Sequence, residues 1–223
     1  MTILFVLLTF LVIITVTYYT KHGQPSVVVT RQPQMFASPP APKIARDFGF
    51  DIPSGYCFHP GHTWVLDEGR QNARVGLDSF ASHMFGKIDR IEVAGLNRWV
   101  RQGQKIWSVT RDGMTVDMVS PVEGVVIAVN PEVQRDPNLL LKDPYKDGWV
   151  CVVKSPDIGT NVNNLLRGQF VGPWMQNTLR RVGSMTTQLA GATAQDGGLP
   201  INGLLAQIEP GLQRAMIKEF FLT

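Results

Sequence analysis

The stretch Cys57-Phe58-His59-Pro60-Gly61-His62 places a thiol and two imidazoles within one short run. Thiolate and imidazole are ordinary zinc ligands, but a structural or catalytic site needs three or four of them converging on one ion. A tight curl at Pro60-Gly61 would bring Cys57, His59 and His62 together, with His83 as a fourth ligand. The plainer reading sets His62 on a strand and leaves the others to surface or packing roles, so no metal site is expected. Nucleophilic chemistry has little to stand on. There is no Gly-x-Ser-x-Gly elbow, and neither Cys57 nor Cys151 has a histidine on a recognisable scaffold. The carboxylates Asp112, Asp117 and Glu123 read as solvated charges rather than an acid/base pair. No glycine-rich phosphate loop is present. An enzyme is not expected, nor is a cofactor.

Those residues must be held by elements, and composition bounds what the elements can be. The chain has 223 residues, 44% of them hydrophobic and 17% charged, which is enough for one packed domain with appendages. The formal charge of +3 is mild and no basic stripe gathers it, which argues against nucleic acid. Cys57 and Cys151 lack CxxC spacing, so a redox motif is not expected; a single disulfide is the less favoured alternative.

Thr2 to Tyr19 contains no charged residue. As a helix it would extend roughly 27 Å, the thickness of a bilayer's hydrocarbon core. No basic region precedes it and no small-x-small cleavage site follows, which separates it from a secretory signal. Residues 1–20 are therefore expected to form a single transmembrane helix in the cell (inner) membrane. Lys21, Arg31, Lys43 and Arg46 follow it, and by the positive-inside rule they place the bulk of the chain in the cytoplasm. Residues 21–55 are rich in proline and read as an extended linker.

From Tyr56 onward, short apolar runs alternate with turn residues. Strands are expected at Thr63-Leu66, Ala73-Leu77, Lys87-Val93, Lys105-Val109, Met114-Val119, Val125-Val129 and Gly148-Lys154. Asp78 is placed to cap a short helix from Ser79 to Phe85, with Gly86 as its stop. Asn130 to Asp147 reads as a loop. After Pro156 the texture turns helical: Pro173 to Leu189 carries an apolar face, Gly191 to Gly198 is a break, and Pro210 opens a last helix with Leu212, Met216 and Phe220 at spacing i, i+4, i+8.

Several of these pieces resemble the H protein of the glycine cleavage system. They are His62-Thr63-Trp64-Val65, Val75-Gly76-Leu77-Asp78-Ser79-Phe80-Ala81, Gly86-Lys87-Ile88, Ser120-Pro121-Val122-Glu123-Gly124, and Asp143-Pro144-Tyr145-Lys146-Asp147-Gly148-Trp149. The resemblance runs through residues 56–157. It implies a mainly β barrel-sandwich hybrid (lipoyl-like) domain of two small antiparallel sheets with a protruding hairpin, followed here by a helical C-terminal extension, residues 158–223. It also implies a lipoyl-bearing lysine in a Glu-Ser-Val-Lys motif at the hairpin tip. Counted back from Pro121 or forward from Gly103, that position falls on Gly113, and the motif reads Thr110-Arg111-Asp112-Gly113. Glycine has no amine to carry an arm, and Asp-Gly is a favoured pair for a tight hairpin turn.

The expected function is therefore that of a non-catalytic docking or scaffold subunit, anchored in the lipid bilayer through Thr2-Tyr19. Its partners would be other subunits of a membrane complex, respiratory or photosynthetic in kind. Trp174, Phe220 and Phe221 are the candidate interaction anchors, because large aromatic residues dominate interface energetics. Two alternatives remain. One is a periplasmic adaptor of a transport system, although the one short turn between Thr110 and Met114 leaves no room for the helical hairpin such adaptors insert. The other is a lipoyl carrier that uses a different lysine, such as Lys87 or Lys105.

Overall fold

The computed structural model describes residues 11–15, 44–47, 49–190 and 202–222. The chain divides into two units, residues 1–36 and 37–223. In the first, residues 11–15 are helical, with the Thr15 hydroxyl donating to the Leu11 carbonyl at 2.8 Å. Among the described residues no helix is long and apolar enough to cross a membrane. The expected span from Thr2 to Tyr19 lies outside the described residues except for that short piece. So do most of the expected linker and the break at 191–198.

In the second unit the chain opens with β1 (Ile44–Asp47) and β2 (Phe50–Pro53), an antiparallel hairpin. The sequence reading carried the linker on to residue 55, and this hairpin corrects it. The strands are too short for their alternation to show among prolines. What fixes them is tertiary: Phe50 is buried, with its ring 5.8 Å from Phe80 and 5.2 Å from His83.

Next come β3 (Cys57–Phe58), β4 (Thr63–Asp67), β5 (Asn72–Leu77), helix α1 (Ser79–Phe85), β6 (Arg90–Val93), β7 (Trp99–Val100), β8 (Lys105–Arg111), β9 (Met114–Val119) and β10 (Gly124–Val129). Two short helices, α2 (Pro131–Arg135) and α3 (Leu139–Lys142), occupy the stretch expected to be loop. Asn130 caps α2 by accepting from the Glu132 amide, and Pro131 sits in its first turn, where a missing N–H costs nothing. A helix of one turn is too short to display a 3.6-residue period, so the sequence hid both. Strand β11 (Trp149–Lys154) follows. The C-terminal part contains α4 (Ile158–Asn163), a 3-10 turn (Gly168–Phe170), α5 (Val171–Ala190), α6 (Leu204–Gln207) and α7 (Pro210–Phe221).

The strands form a six-stranded sheet in the order β3-β4-β5-β11-β10-β7 and a three-stranded sheet in the order β6-β8-β9, all antiparallel. Val75, Leu77, Val126 and Val153 from the larger sheet share one core with Ile106, Val109, Val116 and Met118 from the smaller. A satellite core of Tyr56, Phe58, Trp64, Tyr145 and Val171 covers the other face near one end. The fold is thus mainly β with a helical C-terminal part, as expected.

The extension completes the main core. Leu212, Met216, Phe220 and Phe221 of α7 are buried, with Phe221 stacked on Phe85 at 5.3 Å and Phe220 tilted 5.7 Å from Phe80. Phe220 of the expected i, i+4, i+8 stripe, with Phe221 beside it, therefore packs on α1, and Leu212 and Met216 complete the buried face. The α1 end permits a close approach there. A Cβ on Gly86 would lie 2.4 Å from the Gly203 backbone nitrogen, and the Gly203 N–H donates to the His83 carbonyl at 2.7 Å.

Candidate functional site

The β8–β9 hairpin closes between Arg111 and Met114, with Asp112 and Gly113 as its two loop residues. Both have positive φ, 47° and 80°, as a type I′ turn requires. A Cβ on Gly113 would meet no atom within 4 Å, so the tip is open to solvent. No lysine lies between Thr110 and Thr115.

The tip is fastened from two sides. The Asp112 N–H donates to Asp89 Oδ2 at 2.7 Å. Arg111 turns back along the domain, and its guanidinium donates to the Phe85 carbonyl at the C-terminal end of α1. Helix C-termini carry unpaired carbonyls and partial negative charge, so a guanidinium is well placed there. Arg111 Nε also donates to Asp112 Oδ2 at 3.2 Å. A Cβ on Gly203 would lie 2.9 Å from Arg111 Nη1, so the extension passes directly beside this clamp. No sequence pattern announces the clamp, because Asp89, Arg111 and Gly203 meet only through strand pairing and the docked extension.

The two lysines weighed as substitutes, Lys87 and Lys105, are held in ion pairs. Lys87 Nζ lies 2.7 Å from Asp89 Oδ1, and Lys105 Nζ lies 2.6 Å from Asp117 Oδ1. Hydrogen bonding and charge from Lys87 lower the Asp89 carboxyl below its usual range, and Asp89 raises the Lys87 ammonium in turn.

Cys57, His59, His62 and His83 do not converge. Among the described residues no group of three or more His, Cys, Asp or Glu side chains could hold a metal ion. His59 Nδ1 accepts from the Gly61 N–H at 3.0 Å, and burial together with the nearby His62 lowers its pKa to about 4. His62 Nδ1 lies 2.8 Å from Asp78 Oδ2, while His83 Nδ1 lies 2.7 Å from the Ser79 carbonyl. Both cysteines are free; burial pushes each thiol upward, away from the reactive thiolate form. Asp117 is bound to Lys105, and Glu123 presents only its backbone to Asn161.

The three aromatic interaction candidates are engaged within the chain. Trp174 is half-buried and stacked on His62 at 4.8 Å. Phe220 and Phe221 are 2% and 0% exposed, so the C-terminal end meets this domain rather than offering itself to a neighbour. Sequence reasoning passed over Leu96 and Phe170, which are exposed, and it reads Trp99, beside a strand, as a core residue, whereas Trp99 is 47% exposed.

Comparison with known proteins bears on the same region. A family model described as "Glycine cleavage H-protein" matches residues 56–176. The glycine cleavage system H protein of Vibrio cholerae serotype O1 is 32% identical over 100 residues, covering 45% of this chain and 79% of that protein. That of Thermus thermophilus is 30% identical over 109 residues, covering 49% and 84%. A solved structure of a glycine cleavage system H protein from Mycobacterium marinum covers 56% of this chain and 98% of its own, at 23% identity and a TM-score of 0.49. The family match runs past the expected domain end at 157 and takes in α4 and the first residues of α5.

Proposed function

The chain belongs to the glycine cleavage H-protein family, and we propose that it has exchanged that family's swinging carrier arm for a fixed docking surface. In this reading it is a non-catalytic subunit of a membrane complex. Thr2 to Tyr19 anchor it in the bilayer, and the domain lies on the cytoplasmic side. The supporting observation is the hairpin tip. The position the resemblance assigns to the lipoyl lysine is Gly113, in a two-residue turn tied down by Arg111 and Asp89. A carrier needs an amine on a mobile arm. A docking module needs a tip that keeps one shape, because preorganisation reduces the ordering cost of binding.

A second reading has one observation in its favour. Lys87 is 58% exposed and shares Asp89 with the hairpin tip, so it is the lysine best placed to substitute for a tip lysine. Intact-mass measurement on protein from its own membranes, solubilised in gentle detergent, separates the two. The docking reading expects an unmodified mass and a stoichiometric set of co-purifying subunits. A mass increment of lipoyl size mapping to Lys87, on protein that purifies alone, overturns it.

A further inference from the structure

We propose that the face carrying Leu96, Trp99, Arg101 and Lys154 docks on an anionic lipid surface. This rests in part on the reading of the chain as membrane-anchored. Leu96 is 59% exposed and Trp99 47% exposed, whereas the strand tryptophans Trp64 and Trp107 are fully buried. The sheet register gathers charge around them. Trp99 pairs with Val125 of β10, and Val125 pairs with Lys154 of β11. Residues directly opposite in a ladder point to the same face, so Trp99, Val125 and Lys154 form one row across three strands. Arg101 follows β7 directly, opening the next turn, and is exposed.

Arg101 and Lys154 are exposed, and neither makes an ion pair among the described residues. The neighbouring carboxylates are those of Glu123, beside Gly124, which pairs with Val100, and of Asp157, three residues beyond Lys154. The surface is thus apolar at its centre, with Arg101 and Lys154 as unpaired cations at its rim.

The protruding turn is held in shape. The Asn97 N–H donates to the Val126 carbonyl at 2.8 Å, and the Val126 N–H donates to the Arg98 carbonyl at 3.0 Å. Tryptophan favours the headgroup level of a bilayer, and arginine and lysine favour anionic headgroups. The same chemistry would suit an acidic protein face. The bilayer is favoured because the chain carries the apolar Thr2-Tyr19 segment, and residues 20–43 fully extended reach at most about 80 Å. Tethering makes a weak patch sufficient, since the second contact becomes intramolecular.

The test uses the full chain with Cys57→Ser and Leu96→Cys, labelled at residue 96 with an environment-sensitive fluorophore. It is reconstituted into nanodiscs of brominated phosphatidylcholine, with or without about one third phosphatidylglycerol. The proposal expects a blue shift and about threefold quenching in the anionic discs only, abolished by Arg101→Glu with Lys154→Glu and by about 0.5 M salt. A label that stays solvent-like in anionic discs overturns it while leaving the anchor intact. So does equal quenching in the neutral discs. If the chain does not enter discs at all, the anchor reading fails. Co-sedimentation with anionic vesicles then decides the patch alone: binding that Arg101→Glu with Lys154→Glu removes supports it, and no binding overturns it.

Discussion

His62 Nδ1 lies 2.8 Å from Asp78 Oδ2, while the His62 ring stacks on Trp174 with centroids 4.8 Å apart. One imidazole therefore joins the cap of α1 to the first turn of α5. Asp78 is fully buried and also accepts from the Ala81 N–H at 2.8 Å, so its two oxygens serve a helix end and a histidine at once. Removing it leaves a helix N-terminus and a buried ring nitrogen without their partner. Asp78→Ala is expected to cost about 2–4 kcal/mol in urea unfolding, more than an ordinary cap. Asp78→Asn keeps the capping oxygen and should lose less.

Two glycines with positive φ should behave differently. Gly113 has open space around it, so Gly113→Ala should cost only the left-handed backbone strain of about 1 kcal/mol. Gly86 faces the Gly203 backbone at 2.4 Å from a built Cβ, and Gly86→Ala must push the extension away. About 2–4 kcal/mol is expected, with faster amide exchange across residues 203–221. Chemical denaturation and hydrogen exchange on the same samples check both.

The clamp on the hairpin predicts a local effect. Arg111→Ala removes the bond to the Phe85 carbonyl but no core packing. Global stability should fall by about 1 kcal/mol. Exchange of the amides at Asp112 and Gly113 should rise by a larger factor. Equal exchange in variant and wild type would show that the tip is fixed without Arg111.

The His59 pKa is lowered to about 4 by burial and by the neighbouring His62, against 6.5 for the unfolded side chain. Its Nδ1 accepts from the Gly61 N–H, a role that needs the neutral ring. Above pH 6.5 the group is neutral in both states and adds no pH dependence. As pH falls from 6.5 to about 4, the unfolded state takes up a proton that the folded state does not, and stability drops. Below about 4 both states are protonated and the loss is complete. His59→Asn is expected to flatten the stability profile in that window by about 2–3 kcal/mol relative to wild type. Parallel profiles for the two proteins would contradict the shift.

Phe221 tests how firmly the extension belongs to the domain. It is fully buried against Phe85, and its loss opens a cavity between α7 and α1. Phe221→Ala is expected to cost about 3–5 kcal/mol. A value under 1 kcal/mol would mean that the extension packs only loosely.

What the sequence alone determined was local. Asp78 and Gly86 bound α1 because a cap and a stop act within one turn of the chain, and Asp112-Gly113 made the hairpin because that pair tolerates positive φ. The stripe of Leu212, Met216 and Phe220 marked α7 for the same reason, since a helical period is written into spacing. The resemblance across residues 56–157 likewise lay open to reading and met the family match. Tertiary structure decided the rest. The β1–β2 hairpin exists because Phe50 finds Phe80 and His83, and spacing within residues 44–53 cannot express that. Phe220 and Phe221 read equally well as partner anchors or as core. Only the approach of Gly203 to Gly86 turned them inward. The clamp of Arg111 and Asp89 on the hairpin, and the row of Trp99, Val125 and Lys154, join residues far apart in the chain. Such contacts depend on register and packing, which the sequence encodes only through the fold as a whole.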